Sequence, residues 1–162
     1  MEELFDWLVV AHAPGLGVHT FHALLEQWRS PTSLLKAVHN SEQLEGLSKK
    51  TIKWLKQPDT KNYEKDLAWL RQENNHIILF SDPHYPPLLK EIIDPPPLLY
   101  VHGDVSCLSH YQIAMVGSRN PTSGGNETAQ QFAHILVQSG FLITSGLALG
   151  IDAASHRGAM NA

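Results

Sequence analysis

The most constraining feature of the sequence is an order of elements that occurs twice in its last third. The apolar run IAMV (Ile113–Val116) leads into the loop GSRNPTSGG, and the run FLIT (Phe141–Thr144) leads into SGLALGID. Helical patterns follow over about Asn126–Ser139 and Asp152–Met160. Apolar runs without polar alternation are typical of parallel strands covered on both faces, and parallel neighbours require a crossover helix. We therefore predict a β-α-β-α order over residues 112–162 and the fold class α/β.

The first of these helices has one apolar face. Ala129, Phe132, Ala133 and Leu136 follow the i, i+3, i+4, i+7 spacing and are expected to be buried, and Gly140 stands where a left-handed cap belongs. Two strands with two helices leave sheet faces and edges uncovered. We therefore expect a truncated sheet that is loose or associates with another copy.

The first 75 residues predict a small helical domain. Serines at positions 30, 41 and 48 precede helical patterns as N-caps, and a longer helix is expected over Tyr63–Glu73. Six aromatic residues are available for its core: Phe5, Trp7, Phe21, Trp28, Trp54 and Trp69.

Residues 76–111 predict a proline-rich connector with short strands. Ile77–Phe80 and Leu98–Val101 are apolar runs bounded by turn signals, and Pro95–Pro97 must be extended because proline fixes its own φ and disfavours helix before it.

Charge is distributed unevenly along the chain. The net charge is −4, but residues 49–65 hold six lysines against Asp59 and Glu64, a local charge of +4 that leaves −8 for the rest. Such a stretch forms either a solvated helix face or a surface that contacts nucleic-acid phosphates. One cysteine, Cys107, and the lack of a signal-like or membrane-spanning run predict a cytoplasmic protein without membrane association.

Both glycine loops follow strands, so both are expected at the carboxyl edge of the sheet, where open parallel sheets bind ligands. Backbone N–H groups of Gly117, Ser118, Ser145 and Gly146 are suited to a phosphate, with Arg119 as the cation. The alternative is that the glycines only allow tight strand-to-helix turns. Neither the G-x-x-x-x-G-K-[ST] nor the G-x-G-x-x-G pattern is present, so a nucleoside triphosphate or NAD is disfavoured.

The run PGLGVHTFHALL near the N-terminus has the pattern of a helix-hairpin-helix, whose hairpin N–H groups grip DNA phosphates without reading sequence. Gly15 and Gly17 are its candidate contacts, and Lys49, Lys50 and Lys53 are candidate companions. A tight turn between two helices, or a surface for protein contacts, are the alternatives.

The sequence offers little for catalysis or metal binding. His19 and His22 share a helix face, but no Cys-x-x-Cys pair or nearby carboxylate completes a zinc set. Ser118 and Ser145 lack a G-x-S-x-G setting, and Cys107 lies in the expected connector. We expect no metal, no cofactor and no catalytic residue.

The segment from IAMVGSRNPTSGG to SGLALGIDAASHRGAM, preceded by DPHYPPLLKEIIDPPPLLYVHGD, resembles the N-terminal portion of the DprA/Smf family of DNA-processing proteins. The resemblance implies a SAM-like helical domain followed by a Rossmann-like domain. It implies binding and protection of single-stranded DNA in natural transformation, loading of RecA, a homodimer, and no covalent chemistry.

Within that resemblance, Gly117, Ser118 and Arg119 match the family's DNA-binding loop, and Ser145, Gly146 and Gly150 match the second loop. The chain departs from the family at Leu149, where an arginine is usual, and at Gly124–Gly125, where an aromatic residue and a glycine are usual.

The rival interpretation is a nucleotide-handling enzyme of the lysine-decarboxylase-like phosphoribohydrolase group. Such an enzyme needs a carboxylate beside its glycine motif. Asp152 is the one acidic candidate close to the loops, and no P-G-G-x-G-T-x-x-E stretch is present.

Overall fold

The computed structural model describes residues 2–40, 44 and 46–162. The chain divides into two compact units, Met1–Val105 and Ser106–Ala162. The helix start expected at Ser41 involves Ser41–Gln43 and Glu45, which lie outside the described residues.

The first unit begins with five helices. They are α1 (Glu2–Ala11), α2 (Val18–Trp28), α3 (Pro31–His39), α4 (Lys49–Lys56) and α5 (Thr60–Leu70). Two expected N-caps are confirmed, because the Ser30 hydroxyl accepts the N–H of Ser33 and the Ser48 hydroxyl accepts the N–H of Thr51, each at 3.1 Å. Helix α3 contacts α1, α2 and α4, and α1 also contacts α5.

The core of this unit is built from the inward faces of the five helices. Its buried hydrophobic residues are Trp7, Leu8, Val9, Val10, Ala13, Phe21, Leu24, Leu34, Val38, Leu55 and Tyr63. The expected aromatic core is therefore right for Trp7 and Phe21, and Trp28 and Trp54 pack against its edge. It is wrong for Phe5, which is 38% exposed and packs edge-on against Tyr63.

Two strands complete the first unit. Strand β1 (Asn75–Leu79) pairs antiparallel with β2 (Leu98–His102), and a short helix, α6 (Pro87–Lys90), lies between them in sequence. Ile77, Leu79, Phe80 and Leu98 pack against the helical core. The segment expected as a connector over 76–111 is thus divided at Val105, since the apolar faces of its strands belong to the first unit. The expectation that the sheet of residues 112–162 is loose or associates with another copy stays a prediction.

The second unit has the predicted β-α-β-α order. Its elements are β3 (Gln112–Ala114), α7 (Ser123–Gln138), β4 (Leu142–Thr144) and α8 (Ile151–Met160). The two strands pair in parallel, with Gln112 opposite Leu142 and Ala114 opposite Thr144. Gly140 has φ +90°, which confirms the left-handed residue after α7.

The two helices of this unit cross closely. Ala129 and Ala133 of α7 are buried, and a Cβ on Gly158 of α8 would overlap the backbone carbonyl of Gln130. The expectation that Phe132 is buried is wrong, because its side chain is 60% exposed. Helix α8 contacts the small residues of α7, and the adjacent face is largely exposed, with Phe132 at 60% and Ile135 at 59%.

Within the described part of the chain, none of the helices combines the length and apolar character needed to cross a bilayer.

Candidate functional site

The two glycine loops of the second unit lie side by side at the carboxyl ends of β3 and β4. The N–H of Met115 donates to the carbonyl of Thr144 at 2.9 Å, which extends the strand pairing by one residue. The hydroxyl of Ser145 then donates to the carbonyl of Met115 at 2.7 Å. Both loops therefore leave the sheet already bonded to each other, as their position after parallel strands predicts.

A second connection joins the far ends of the loops. The carbonyl of Ser118 accepts the N–H of Ile151, the first residue of α8, at 3.0 Å. Gly150 has φ +86°, and a Cβ there would overlap the Ser118 carbonyl and lie 2.6 Å from the carbonyl oxygen of Arg119. Only a glycine fits, because a side chain would be strained by the dihedral angle and blocked by both carbonyls. The family-matched Gly150 thus has a steric reason to be glycine.

The other glycines of the site also allow close approach. A Cβ on Gly117 would lie 2.7 Å from Cγ1 of Ile151, and one on Gly146 would lie 3.0 Å from the Asp152 carboxylate. Ile151 branches at Cβ and therefore has little freedom to move aside. The structure supports the tight-turn interpretation of these glycines, and that interpretation is compatible with a ligand on the open side of the loops.

The open side of the first loop is formed by Gly117, Ser118 and Arg119, which are all exposed. Their N–H groups have no backbone acceptor within the described residues, and the Ser118 hydroxyl accepts the N–H of Asn120 at 3.1 Å. The Arg119 guanidinium makes no ion pair with any described residue. The second unit contains no lysine and one other arginine, Arg157 in the last turn of α8. Arg119 is thus the cation of this surface.

Helix α7 begins earlier than expected, at Ser123, so Gly124 and Gly125 form its first turn. Thr122 is the N-cap, and its hydroxyl accepts the N–H of Gly125 at 3.1 Å. Gly124 has open space where a Cβ would stand. The positive end of the α7 dipole therefore follows directly after the Arg119 loop. Sequence reasoning missed Thr122, although threonine is a preferred N-cap residue and stands only four residues before the expected helix start at Asn126.

The N-terminus of α8 is used by the protein itself. Its first N–H groups donate to the carbonyls of Ser118 and Ala148, and the buried Asp152 carboxylate accepts from the N–H of Ala148 at 3.4 Å. A carboxylate in the first turn compensates the helix dipole. Leu147 and Leu149, in contrast, are largely exposed. The second loop therefore offers apolar surface rather than a free helix end.

The structure places the N-terminal glycine hairpin against α4, the helix that carries the candidate lysines of the first unit. The hydroxyl of Thr51 on α4 donates to the carbonyl of Pro14 at 2.9 Å, and a Cβ on Gly15 would lie 3.8 Å from that hydroxyl. Gly15 has φ +78°, and Gly17 is the N-cap residue of α2. Lys49, Lys50 and Lys53 are exposed on the same α4 helix. The hairpin and the lysine helix are direct neighbours.

His19 and His22 have different surroundings in the structure. His22 Nε2 lies 2.7 Å from the carbonyl oxygen of Pro95, whereas His19 is exposed. Within the described residues, no group of three His, Cys, Asp or Glu side chains is placed to share a metal.

Comparison with known proteins gives a consistent result. The profile of the family described as DNA recombination-mediator protein A matches residues 76–162. The chain is 40% identical over 100 residues to Protein Smf of Escherichia coli, which is 62% of this chain and 27% of that protein. It is 34% identical over 165 residues to Protein Smf of Synechocystis, covering 93% of this chain and 39% of that protein.

A further relative is the DNA processing protein DprA of Bacillus subtilis, which is 39% identical over 97 residues, 59% of this chain and 33% of that protein. The X-ray structure of DNA processing protein A (DprA) from Streptococcus pneumoniae superimposes with a TM-score of 0.70 at 23% identity, covering 96% of this chain and 54% of the other. That likeness supports the α/β fold class.

The chain spans about a third of the length of the curated relatives it matches. The family profile covers more than half of the chain and includes both glycine loops. The chain therefore belongs to the DNA recombination-mediator protein A family.

Proposed function

We propose that this chain binds single-stranded DNA through the paired glycine loops of its second unit. The observation that carries the proposal is the exposed Arg119, which makes no ion pair within the described residues and stands on a loop fixed to its neighbour by the bonds Ile151–Ser118 and Ser145–Met115. A rigid loop that presents backbone N–H groups and an arginine fork is suited to phosphate oxygens.

Single strands are favoured over duplexes by the surface beside Arg119. Leu147 and Leu149 expose apolar side chains next to the loops. An unpaired base has a free face that can pack against such surface, whereas the bases of a duplex are stacked on each other. Phosphate contacts through backbone N–H groups and one arginine read no sequence, so we expect binding without sequence preference.

Family membership supports a proposal of wider roles. Protection of incoming strands in natural transformation, loading of RecA and formation of a homodimer are proposed for the longer protein of which this chain matches a part. We propose that these roles involve no covalent chemistry. The enzyme alternative needs an available carboxylate at the loops, but the candidate Asp152 is buried and accepts an N–H within its own loop.

The test is a comparison of Arg119→Ala with Arg157→Ala in the full chain. Both substitutions remove one arginine from the second unit, but Arg157 lies in the last turn of α8, away from the loop end of that helix. Binding to a fluorescent oligothymidylate is measured over a range of salt concentrations. For Arg119→Ala, we expect weaker binding and a log–log salt slope flatter by about 0.7, which is the value for one lost contact to a single strand.

Arg157→Ala should leave the salt slope unchanged. An unchanged slope for Arg119→Ala, with unchanged thermal stability, would show that Arg119 does not contact phosphate. Equal losses in both variants would assign the effect to overall charge rather than to the loop.

A further inference from the structure

Helix α4 carries a groove lined by lysines. Lys49, Lys53 and Lys56 are spaced by four and three residues, which places them on one helix face. Together with Ile52 and Gln57 they line a surface groove of about 400 Å³. Seven residues of helix separate the first and last of these lysines, so the cations are spread over about 10 Å along the axis.

The charges of this groove are not compensated within the described residues. None of the residues lining it is acidic, and none of its three lysines forms an ion pair with a described residue. Three ammonium groups on one exposed helix face create a positive potential that attracts a polyanion.

The groove belongs to a helix that is fixed to the glycine hairpin. Thr51, on the buried side of α4, bonds to the Pro14 carbonyl, and its own N–H is capped by Ser48. The turn over Pro14–Gly17 is therefore hydrogen-bonded to the buried side of α4, and the groove lysines occupy the exposed side. Gly15 and Gly17 are exposed at this turn, but no residue of the turn lines the groove.

We propose that the α4 groove forms a second contact surface for the phosphate backbone of DNA, separate from the glycine loops of the second unit. The partner is identified by charge complementarity, since the groove offers evenly spread cations and no carboxylate. The proposal takes the kind of partner from the proposed function, but it depends on different residues and can hold or fail alone.

The experiment compares two triple variants of the full chain. Lys49→Gln/Lys53→Gln/Lys56→Gln removes the groove cations. Lys36→Gln/Lys61→Gln/Lys65→Gln removes the same charge from exposed positions that do not line the groove. Salt-dependent binding to oligothymidylate and to a duplex of equal length is measured for both, beside Arg119→Ala.

We expect the groove variant to bind oligothymidylate on the order of a hundredfold more weakly at about 0.1 M salt, with a salt slope flatter by about 2 for three lost contacts. The control triple variant should flatten the salt slope by less than about 0.7, the value expected for one lost contact. A similar loss on the duplex identifies backbone contact in general, and a loss on oligothymidylate alone identifies a site for flexible strands. Both results support the proposal.

Equal effects of the two triple variants would overturn the proposal, because net charge would then explain them. So would an unchanged slope in the groove variant, which would leave an acidic protein segment as the fitting partner. If Arg119→Ala flattens the slope and the groove variant does not, only the loop surface binds DNA. The reverse result would reject the proposed loop function and keep the groove. Circular dichroism of each variant confirms that the exposed substitutions leave the fold intact.

Discussion

The backbone carbonyl of Ser118 accepts the N–H of Ile151 at 3.0 Å, so the first glycine loop caps the helix that follows the second one. The bond satisfies one of the orphan donors of α8 with a peptide group from a different loop. The two loops are consequently one structural element. A ligand that binds Arg119 therefore acts on a surface already held in place.

Gly150→Ala should disrupt this element. The new Cβ would overlap the Ser118 carbonyl at a positive φ, and we expect the second unit to lose about 2–4 kcal/mol of stability. Hydrogen exchange of the α8 amides provides the measurement. Gly124→Ala is the matched control, since Gly124 has open space in the first turn of α7, and it should slow exchange or leave it unchanged. Equal protection in both variants would contradict the steric role of Gly150.

Thr51→Val should loosen the connection between the hairpin and α4. Valine keeps the shape of threonine but leaves the Pro14 carbonyl without its donor, at a cost of about 1–3 kcal/mol. Urea unfolding followed by tryptophan fluorescence reports the change, because all four tryptophans lie in the first unit. Thr128→Val, at an exposed position of α7, should stay within about 0.5 kcal/mol of the parent. An unchanged midpoint for Thr51→Val would show that the bond contributes no stability.

Asp82→Asn should reduce the acid sensitivity of the first unit. The backbone N–H of His84, at 2.8 Å, is the main cause of a lowered pKa for the Asp82 carboxyl, and the His84 ring adds to it. A carboxyl whose pKa is lower in the folded state stabilises the fold at pH values above its unfolded-state pKa of about 4. This stabilisation is lost as the pH falls through the folded-state pKa.

The parent should therefore be more stable than Asp82→Asn at pH 7, and the difference should shrink at pH 3. Urea midpoints at the two pH values measure it. Glu91→Gln removes a carboxylate from an exposed position of the same segment and serves as the control. A difference between the parent and Asp82→Asn that is equal at both pH values would contradict this account.

The sequence predicts the order of elements in the second unit because local patterns determine it. Apolar runs without alternation indicate the strands, and their parallel pairing follows from the helix between them. The exposure of Phe132 cannot be predicted in the same way. Helical periodicity identifies an apolar face but not what packs on it, and α8 selects Ala129 and Ala133 because its Gly158 allows the two backbones to approach.

Long-range contacts are the part that the sequence leaves open. No residue pattern predicts that the Ser118 carbonyl caps α8, since every residue has a backbone carbonyl. The packing of Ile77 and Leu98 on the helical core is equally hidden, because the surrounding prolines indicate only an extended segment. The proximity of Gly15 to Thr51 likewise depends on tertiary packing between helices that are distant in sequence.

The absence of lysine from the second unit gives the protein an unusual chemical asymmetry. All eight lysines lie between Lys36 and Lys90, so acetylating reagents that react with side-chain amines modify the α4 groove but leave the Arg119 loop untouched. Phenylglyoxal, which reacts with guanidinium groups, has the opposite preference at these two surfaces. Reagent choice alone can therefore modify one of the two proposed surfaces at a time in the unmutated chain.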